Sequence, residues 1–305
     1  MKLSNIDETS AEQSSGSAQY YNPRADAFRR LTRNKAAVVS FFVFCILALA
    51  CILAPLLSKY EYSAINVDAV RSKPSAAHIL GTDQLGRDLF TRILYGGRVT
   101  LRIAFVSAIL AAVVGSVIGL VSGYFGKKTD FFLSHILDMI ASIPVYLLVI
   151  VAEAAIGWSK GNFMYALALA AVPQFARLVR ASTIRTMGYE YIEAARALGV
   201  SHTKIIFRHV LRSVAPQLIV RFTSGVAESL LICTVIGYLG IGINPPMPEW
   251  GVLAYIGRAY IRSSPYMMGF PCAAITISVI SLSLFGDGLR DALDPRELSG
   301  TAARG

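Results

Sequence analysis

Six stretches of this chain are long and apolar enough to cross a bilayer as helices: 36–57, 99–124, 131–156, 163–179, 216–243 and 266–285. About 20 helical residues cover the roughly 30 Å of hydrocarbon. A segment in that layer must satisfy its own backbone hydrogen bonds, so it must be a helix or part of a closed barrel. Runs of this length read as helices, and the fold class expected is an all-α integral membrane protein with six transmembrane helices. Composition agrees, with 54% hydrophobic and only 16% charged residues, against about 25% charged in a typical soluble domain. The same numbers exclude a disordered chain. The third and fourth runs are the least regular, because Asp138, Pro144, Glu153 and Pro173 interrupt them.

A net charge of +10 first suggests nucleic acid, and the placement of the charges decides otherwise. Of the 29 Lys and Arg, 18 fall in 1–36, 124–130, 177–212 and 286–305, nine fall in 58–98, 156–162 and 244–264, and Arg102 and Arg221 lie within spans. Cytoplasmic loops carry the basic excess, so both termini are expected in the cytoplasm and no nucleic-acid partner is expected. Residues 1–22 are polar, lack a secretory signal pattern and read as a disordered tail. The layout is then a cytoplasmic tail at 1–35, a first span at 36–57, an extracytoplasmic loop at 58–98, a five-helix core at 99–290 and a C-terminal tail at 291–305. Cys45, Cys51, Cys233 and Cys272 sit in apolar runs with no C-x-x-C pair, as buried apolar side chains do.

Two stretches outside the spans look structured. In 78–97, Thr82 or Asp83 can cap a helix, Leu85, Leu89 and Ile93 recur on one face, and Gly96 can end it. This predicts an amphipathic helix at the outer surface. On the cytoplasmic side, 181–212 is longer than a connection needs. Glu190–Leu198 reads as a helix, Gly199 as its stop, and Ser201 as the cap of a second helix over 204–211. Tyr191, Ala194 and Leu198 are expected on one face of the first. Ile206 with Val210, and Phe207 with Leu211, are expected to share faces of the second. Small Ala194 and Ala195 admit a close partner, so this unit reads as a docking surface.

Catalytic chemistry is not legible. The run Gly123-Tyr124-Phe125-Gly126-Lys127-Lys128-Thr129 fails the phosphate-loop spacing, and neither H-E-x-x-H nor G-x-S-x-G occurs. No catalytic residue, metal ligand or bound cofactor is assigned. Charges within spans by default face a bundle interior or a pathway. Glu228, near mid-span, is the leading path candidate. Asp138 and Arg221 serve either the path or an inter-helix pair or cap, whereas Arg102 and Glu153 lie near span ends and can snorkel. Gly115, Gly119 and Gly123 favour close packing, either within the chain or against another subunit. In the Pro-rich outer loop, Pro246, Glu249 and Trp250 are placed to touch a ligand-delivering partner, with interfacial anchoring the alternative for Trp250.

The chain resembles the permease subunits of bacterial ABC importers for dipeptides, oligopeptides and nickel, specifically the second, C-type permease. The residues carrying the resemblance span 25–297: Arg29-Arg30-Leu31-Thr32-Arg33-Asn34-Lys35, Gly81-Thr82-Asp83-Gln84-Leu85-Gly86-Arg87-Asp88, Tyr95-Gly96-Gly97-Arg98, Gly123-Tyr124-Phe125-Gly126, Glu193-Ala194-Ala195-x-x-x-Gly199, Pro248-Glu249-Trp250-Gly251 and the run from Gly286 to Pro295. It implies the type I importer permease fold in the bacterial cytoplasmic membrane. It also implies a heterodimer with a homologous permease, two ABC ATPase subunits holding ATP and Mg, and an extracytoplasmic substrate-binding protein. The resemblance places Glu193, Ala194, Ala195, Gly199, Ile205, Phe207 and His209 in the loop that couples to the ATPase. In the family that loop ends in a Leu-Pro step. Here Leu211 precedes Arg212 and Pro216 follows later, so the helix into the fifth span is expected to continue. Peptides are the expected cargo, with nickel chelates, glutathione and antimicrobial peptides as alternatives. An ion-coupled secondary transporter is the alternative from another class; it calls for inverted repeats, and no convincing one is present. A membrane-bound enzyme needs a convergent catalytic set that the sequence lacks.

Overall fold

Asn34 caps the first long apolar helix by accepting a hydrogen bond from the Ala37 amide, 3.2 Å away. The computed structural model describes residues 23–156, 160–243 and 245–293. Among these, the order is α1 (Pro23–Arg33), α2 (Lys35–Ile52), α3 (Ala54–Leu57), α4 (Leu89–Phe125), α5 (Lys127–Ala141), α6 (Val145–Ile156), α7 (Lys160–Met187), α8 (Glu190–Ala197), α9 (His202–Lys204), a π-helical turn over Ile205–Val210, α10 (Leu211–Tyr238), α11 (Trp250–Arg258) and α12 (Tyr266–Leu293). No strand forms among the described residues beyond an isolated bridge between Thr82 and Asp88.

Five helical stretches are long and apolar enough to span: α2, α4, α7, the rod from α9 through α10, and α12. The expected third span is a broken pair, with α5 and α6 meeting at 89°. Pro144 explains the break, since it disfavours helix at the preceding residue and its carbonyl accepts the Leu148 amide to start α6. Several boundaries move. Part of the expected N-terminal tail is helix α1, which packs on α12, and α12 itself runs to Leu293. The tail read at 1–22 and the final residues from 294 onward lie outside the described residues.

The outer amphipathic helix is corrected. Residues 78–88 form a tight turn around the buried Asp83, and a single 37-residue helix, α4, starts at Leu89. Asp83 Oδ1 accepts the Leu85 and Arg87 amides at 2.8 and 3.0 Å, and its Oδ2 pairs with Arg87 Nε at 2.7 Å. Asp88, not Thr82 or Asp83, caps the helix through the Thr91 amide. Gly96 does not end it. Instead Gly96 and Gly97 form a notch for Trp250: a Cβ on Gly97 would lie 2.6 Å from Trp250 Cζ2.

The core is built on α4, which packs along α7, α10 and α2. The glycine repeat faces α7 within the same chain. Cβ atoms placed on Gly115, Gly119 and Gly123 would meet Phe175 Cβ at 2.6 Å, Ala176 O at 2.5 Å and Thr183 Cβ at 2.7 Å. Gly119→Leu is therefore expected to destabilise the protein by about 1–3 kcal/mol, as overpacking does, and to cut the monodisperse fraction after heating in detergent. Gly269→Ala, where an added Cβ meets nothing within 4 Å, should behave as wild type in the same size-exclusion assay.

Candidate functional site

The loop between α7 and α10 is closed by its own hydrogen bonds and stands on a buried apolar base. Helix α8 closes with the paired bonds of a Schellman stop, Gly199 N–H to Arg196 O and Val200 N–H to Ala195 O. Gly199 sits at φ +73° with nothing within 4 Å of an added Cβ. Its requirement is thus conformational, because only glycine enters this region freely. Beneath the loop, Ile192, Ile205, Val210 and Val214 are buried with Leu120, Tyr124 and Val179. The π-helical turn changes the expected register. Ile205 and Val210, five apart, are both fully buried, in place of the expected pairing of Ile206 with Val210.

The outer face carries Tyr191, Glu193, Ala194, Leu198 and Phe207, with Leu198 83% and Phe207 64% exposed. Two of the assigned loop residues, Ala195 and Ile205, are instead buried on the inner side. His209 is half-buried, its ring 6.1 Å from that of Tyr191. One contact had no sequence signal. The Tyr124 hydroxyl, at the end of α4, lies 2.6 Å from His202 Nδ1, and the Arg196 guanidinium stacks 5.5 Å above the Tyr124 ring.

The charges within spans are mostly paired. Asp138 bonds Arg177 at 2.8 Å, tying α5 to α7. Arg221 donates to both carboxylate oxygens of Glu228 at 3.0 and 2.8 Å, donates to Gln174, and lies 5.3 Å over the Phe175 ring. The Glu228 side chain is 48% exposed on the open face of α10. On the same face, toward α12, Arg221 helps line a cavity of about 830 Å³ with Gln217, Arg185, Asp287 and Arg290. Glu153 does not snorkel; it is fully buried.

The outer loop also corrects the sequence reading. Glu249 and Trp250 are buried, so neither presents a face to an external partner, whereas Pro246 is exposed. Glu249 caps α11: its Oε1 accepts from Gly251 N–H and Thr100 Oγ1 at 2.9 Å, and its Oε2 accepts from Val252 N–H at 2.9 Å. Burial pushes this carboxyl above its ordinary range, and these donors pull it back. Trp250 donates its indole N–H to Ile93 O at 2.8 Å. Among the described residues, no group of three or more His, Cys, Asp or Glu is placed to hold a metal ion.

Residues 115–298 match the family model described as the inner membrane component of binding-protein-dependent transport systems, and residues 22–74 match the N-terminal transmembrane domain of oligopeptide transport permease C. The chain belongs to this family of transport permeases. It is 39% identical over 275 residues to a dipeptide transport system permease protein of Alkalihalophilus pseudofirmus, covering 90% of each chain. It is 36% identical to a glutathione transport system permease protein of Pectobacterium atrosepticum, covering 90% of this chain and 91% of that one. A probable D,D-dipeptide transport system permease protein of Escherichia coli is 34% identical, over 85% of this chain and 87% of that one. Among solved structures, an inward-facing MetNI methionine ABC transporter chain aligns with a TM-score of 0.55 at 23% identity, covering 68% of this chain and 98% of that one. That likeness shows the fold.

In this permease the buried Glu249 is a structural anchor between α4 and α11. Glu249→Ala is expected to cost about 2–3 kcal/mol, combining a lost cap with stranded donors. Glu249→Gln should recover little, because its amide N–H would face a backbone N–H. Thermal unfolding in detergent measures both; wild-type melting of either variant would contradict the anchor role.

Proposed function

We propose that the permease moves peptides inward across the bacterial cytoplasmic membrane as one half of a heterodimer with a homologous permease. Two ABC ATPase subunits, binding ATP and Mg, drive it, and an extracytoplasmic binding protein delivers the cargo. This chain contributes half a path and no catalytic chemistry. Both termini lie in the cytoplasm, in keeping with the 18-to-9 division of basic residues. The relatives named for dipeptides and for glutathione, itself a small peptide, support the cargo class.

One observation carries the coupling assignment: an exposed apolar face of Tyr191, Leu198 and Phe207 stands on a buried, hydrogen-bonded base. Exposed apolar side chains gathered on a rigid surface mark an interface. Glu193, Ala194, Gly199, Phe207 and His209 belong to the docking unit, with Ala195 and Ile205 supporting it from below. The helix from His202 to Tyr238 is continuous through Pro216, so displacement of the loop moves Arg221 and Glu228 with it. ATP-driven closure of the ATPases would thereby bias the permease pair between inward- and outward-open arrangements. Glu228, Arg221 and Asp138 are assigned to the path or its immediate frame, and Pro246 to the surface that meets the binding protein.

The test is co-purification and uptake. Co-expressed with its partner subunits, the wild type should retain the ATPases and take up a labelled dipeptide only with ATP. Leu198→Asp should lower ATPase retention at least about tenfold, as removal of a buried interface anchor does, while the detergent-solubilised permease stays monodisperse. Undiminished retention would overturn the docking assignment.

A further inference from the structure

At the outer end of α4 a cavity of about 560 Å³ is lined by Tyr62, Tyr95, Arg98, Arg102, Met164 and Met247 among others. That volume lies within the range of small-ligand sites, roughly 300–1,000 Å³. Arg98 and Arg102 are one helical turn apart, so their side chains leave α4 from the same face, and both are exposed. Several other arginines of these helices have a carboxylate beside them: Arg177 pairs with Asp138, Arg180 with Asp130 and Arg221 with Glu228, and Arg92 shares Asp83 with Arg87. Among the described residues neither Arg98 nor Arg102 has an ion pair, and no acidic residue lines the cavity. The Arg98 guanidinium lies 5.9 Å from the Tyr95 ring centre, and Tyr95 in turn stacks 5.1 Å from Tyr62. Behind this wall, Arg92 Nη1 donates to Tyr62 O at 2.8 Å and Pro246 O at 3.3 Å, fixing the two loops that flank the mouth.

Two uncompensated guanidiniums in a partly enclosed site concentrate anions, and their planar donors match a carboxylate. Aromatic and thioether walls suit an apolar side chain beside it. We propose that this cavity is a receiving site for the free C-terminal carboxylate of a peptide entering the permease, with Arg98 and Arg102 as its anion-binding residues. The inference rests on the peptide-importer reading above and adds to it a site and a recognised group.

The assembled transporter, in nanodiscs of phosphatidylcholine, reports on the site through Met164→Cys. Its thiol is modified with a thiosulfonate reagent carrying either a sulfonate or a trimethylammonium group, and the reaction of the parent protein is subtracted. The anionic reagent is expected to be favoured over the cationic one by at least about tenfold relative to the Arg98→Gln/Arg102→Gln background, in line with field focusing in charged clefts. Millimolar trialanine should slow the modification, trialanine amide should not, and the double variant should lose the protection. Met247→Cys, on another wall, repeats the measurement should Met164→Cys not assemble. Equal protection by acid and amide, or none by either, would overturn the proposal. So would protection that appears only when phosphatidylglycerol is added, which would assign the site to a lipid headgroup. ATP-driven uptake by the wild type separates the two levels. Uptake without carboxylate-selective protection defeats this inference alone, and no ATP-driven peptide uptake defeats the reading beneath it.

Discussion

Apolar helices in a bilayer gain little by exchanging lipid for one another, so their association depends on close packing. In this permease the decisive contact is α4 against α7 through Gly115, Gly119 and Gly123, where backbone and β-carbons approach within about the reach of a missing methyl group. Everything else is organised around α4. Its N-terminal half holds Trp250 in the Gly96–Gly97 notch, its middle joins α2 and α10, and its C-terminal end carries Tyr124 into the base of the loop between α7 and α10. A helix of 37 residues is about 55 Å long. It is therefore a continuous strut from the loop before α4 to the loop between α7 and α10.

Polar contacts fasten that strut at both ends, where apolar packing alone would leave register free. At the outer end Thr100 bonds Glu249, which caps α11. At the inner end Tyr124 bonds His202, the first residue of the rod that continues into α10. α4 and the rod leading into α10 are thus tied to each other beside the loop between α7 and α10. α11 closes the outer side by packing on both α10 and α12. The rod from His202 to Tyr238 and α4 are both unbroken helices. In contrast, α5 and α6 meet at an 89° break.

The sequence was legible where one periodicity or one conformational demand governed. Apolar run length located the spans, and Gly199 was identifiable because a left-handed stop has a strong residue preference. The helix continuing beyond Leu211 followed from the absence of a proline at Arg212. What failed shared a cause: residues with two opposite uses. Gly96 read as a stop, yet with Gly97 it serves as a notch inside a helix, and only the distant Trp250 decides between the two. Glu249 read as a surface acid, yet the following Trp250-Gly251-Val252 makes it a buried cap. Ile205 was displaced by a π-helical turn, which shifts the shared face from i, i+4 to i, i+5 and has no clear composition signal. The pairing of Asp138 with Arg177 also needed three dimensions, because it joins α5 to α7, whereas Arg221 and Glu228 lie two turns apart on one helix, α10.

The distribution of charge offers an argument about what surrounds this chain. A charged side chain facing lipid at mid-bilayer costs about 2.5–3.5 kcal/mol even on the more lenient scales. Gln174, Arg221 and Glu228 nevertheless form one connected polar group on the open side of α7 and α10, with Glu228 near the middle of its span and half-exposed. Their mutual bonds reduce that cost without removing it, because the carboxylate still presents surface. A lipid boundary along this stripe would be unfavourable, whereas water in a path or a second permease would satisfy it. The face of α2, by contrast, exposes Val39, Phe42 and Ile46, apolar side chains suited to hydrocarbon. The chain thus has a lipid side and a side that is incomplete alone, which supports its assignment as half of a transporter.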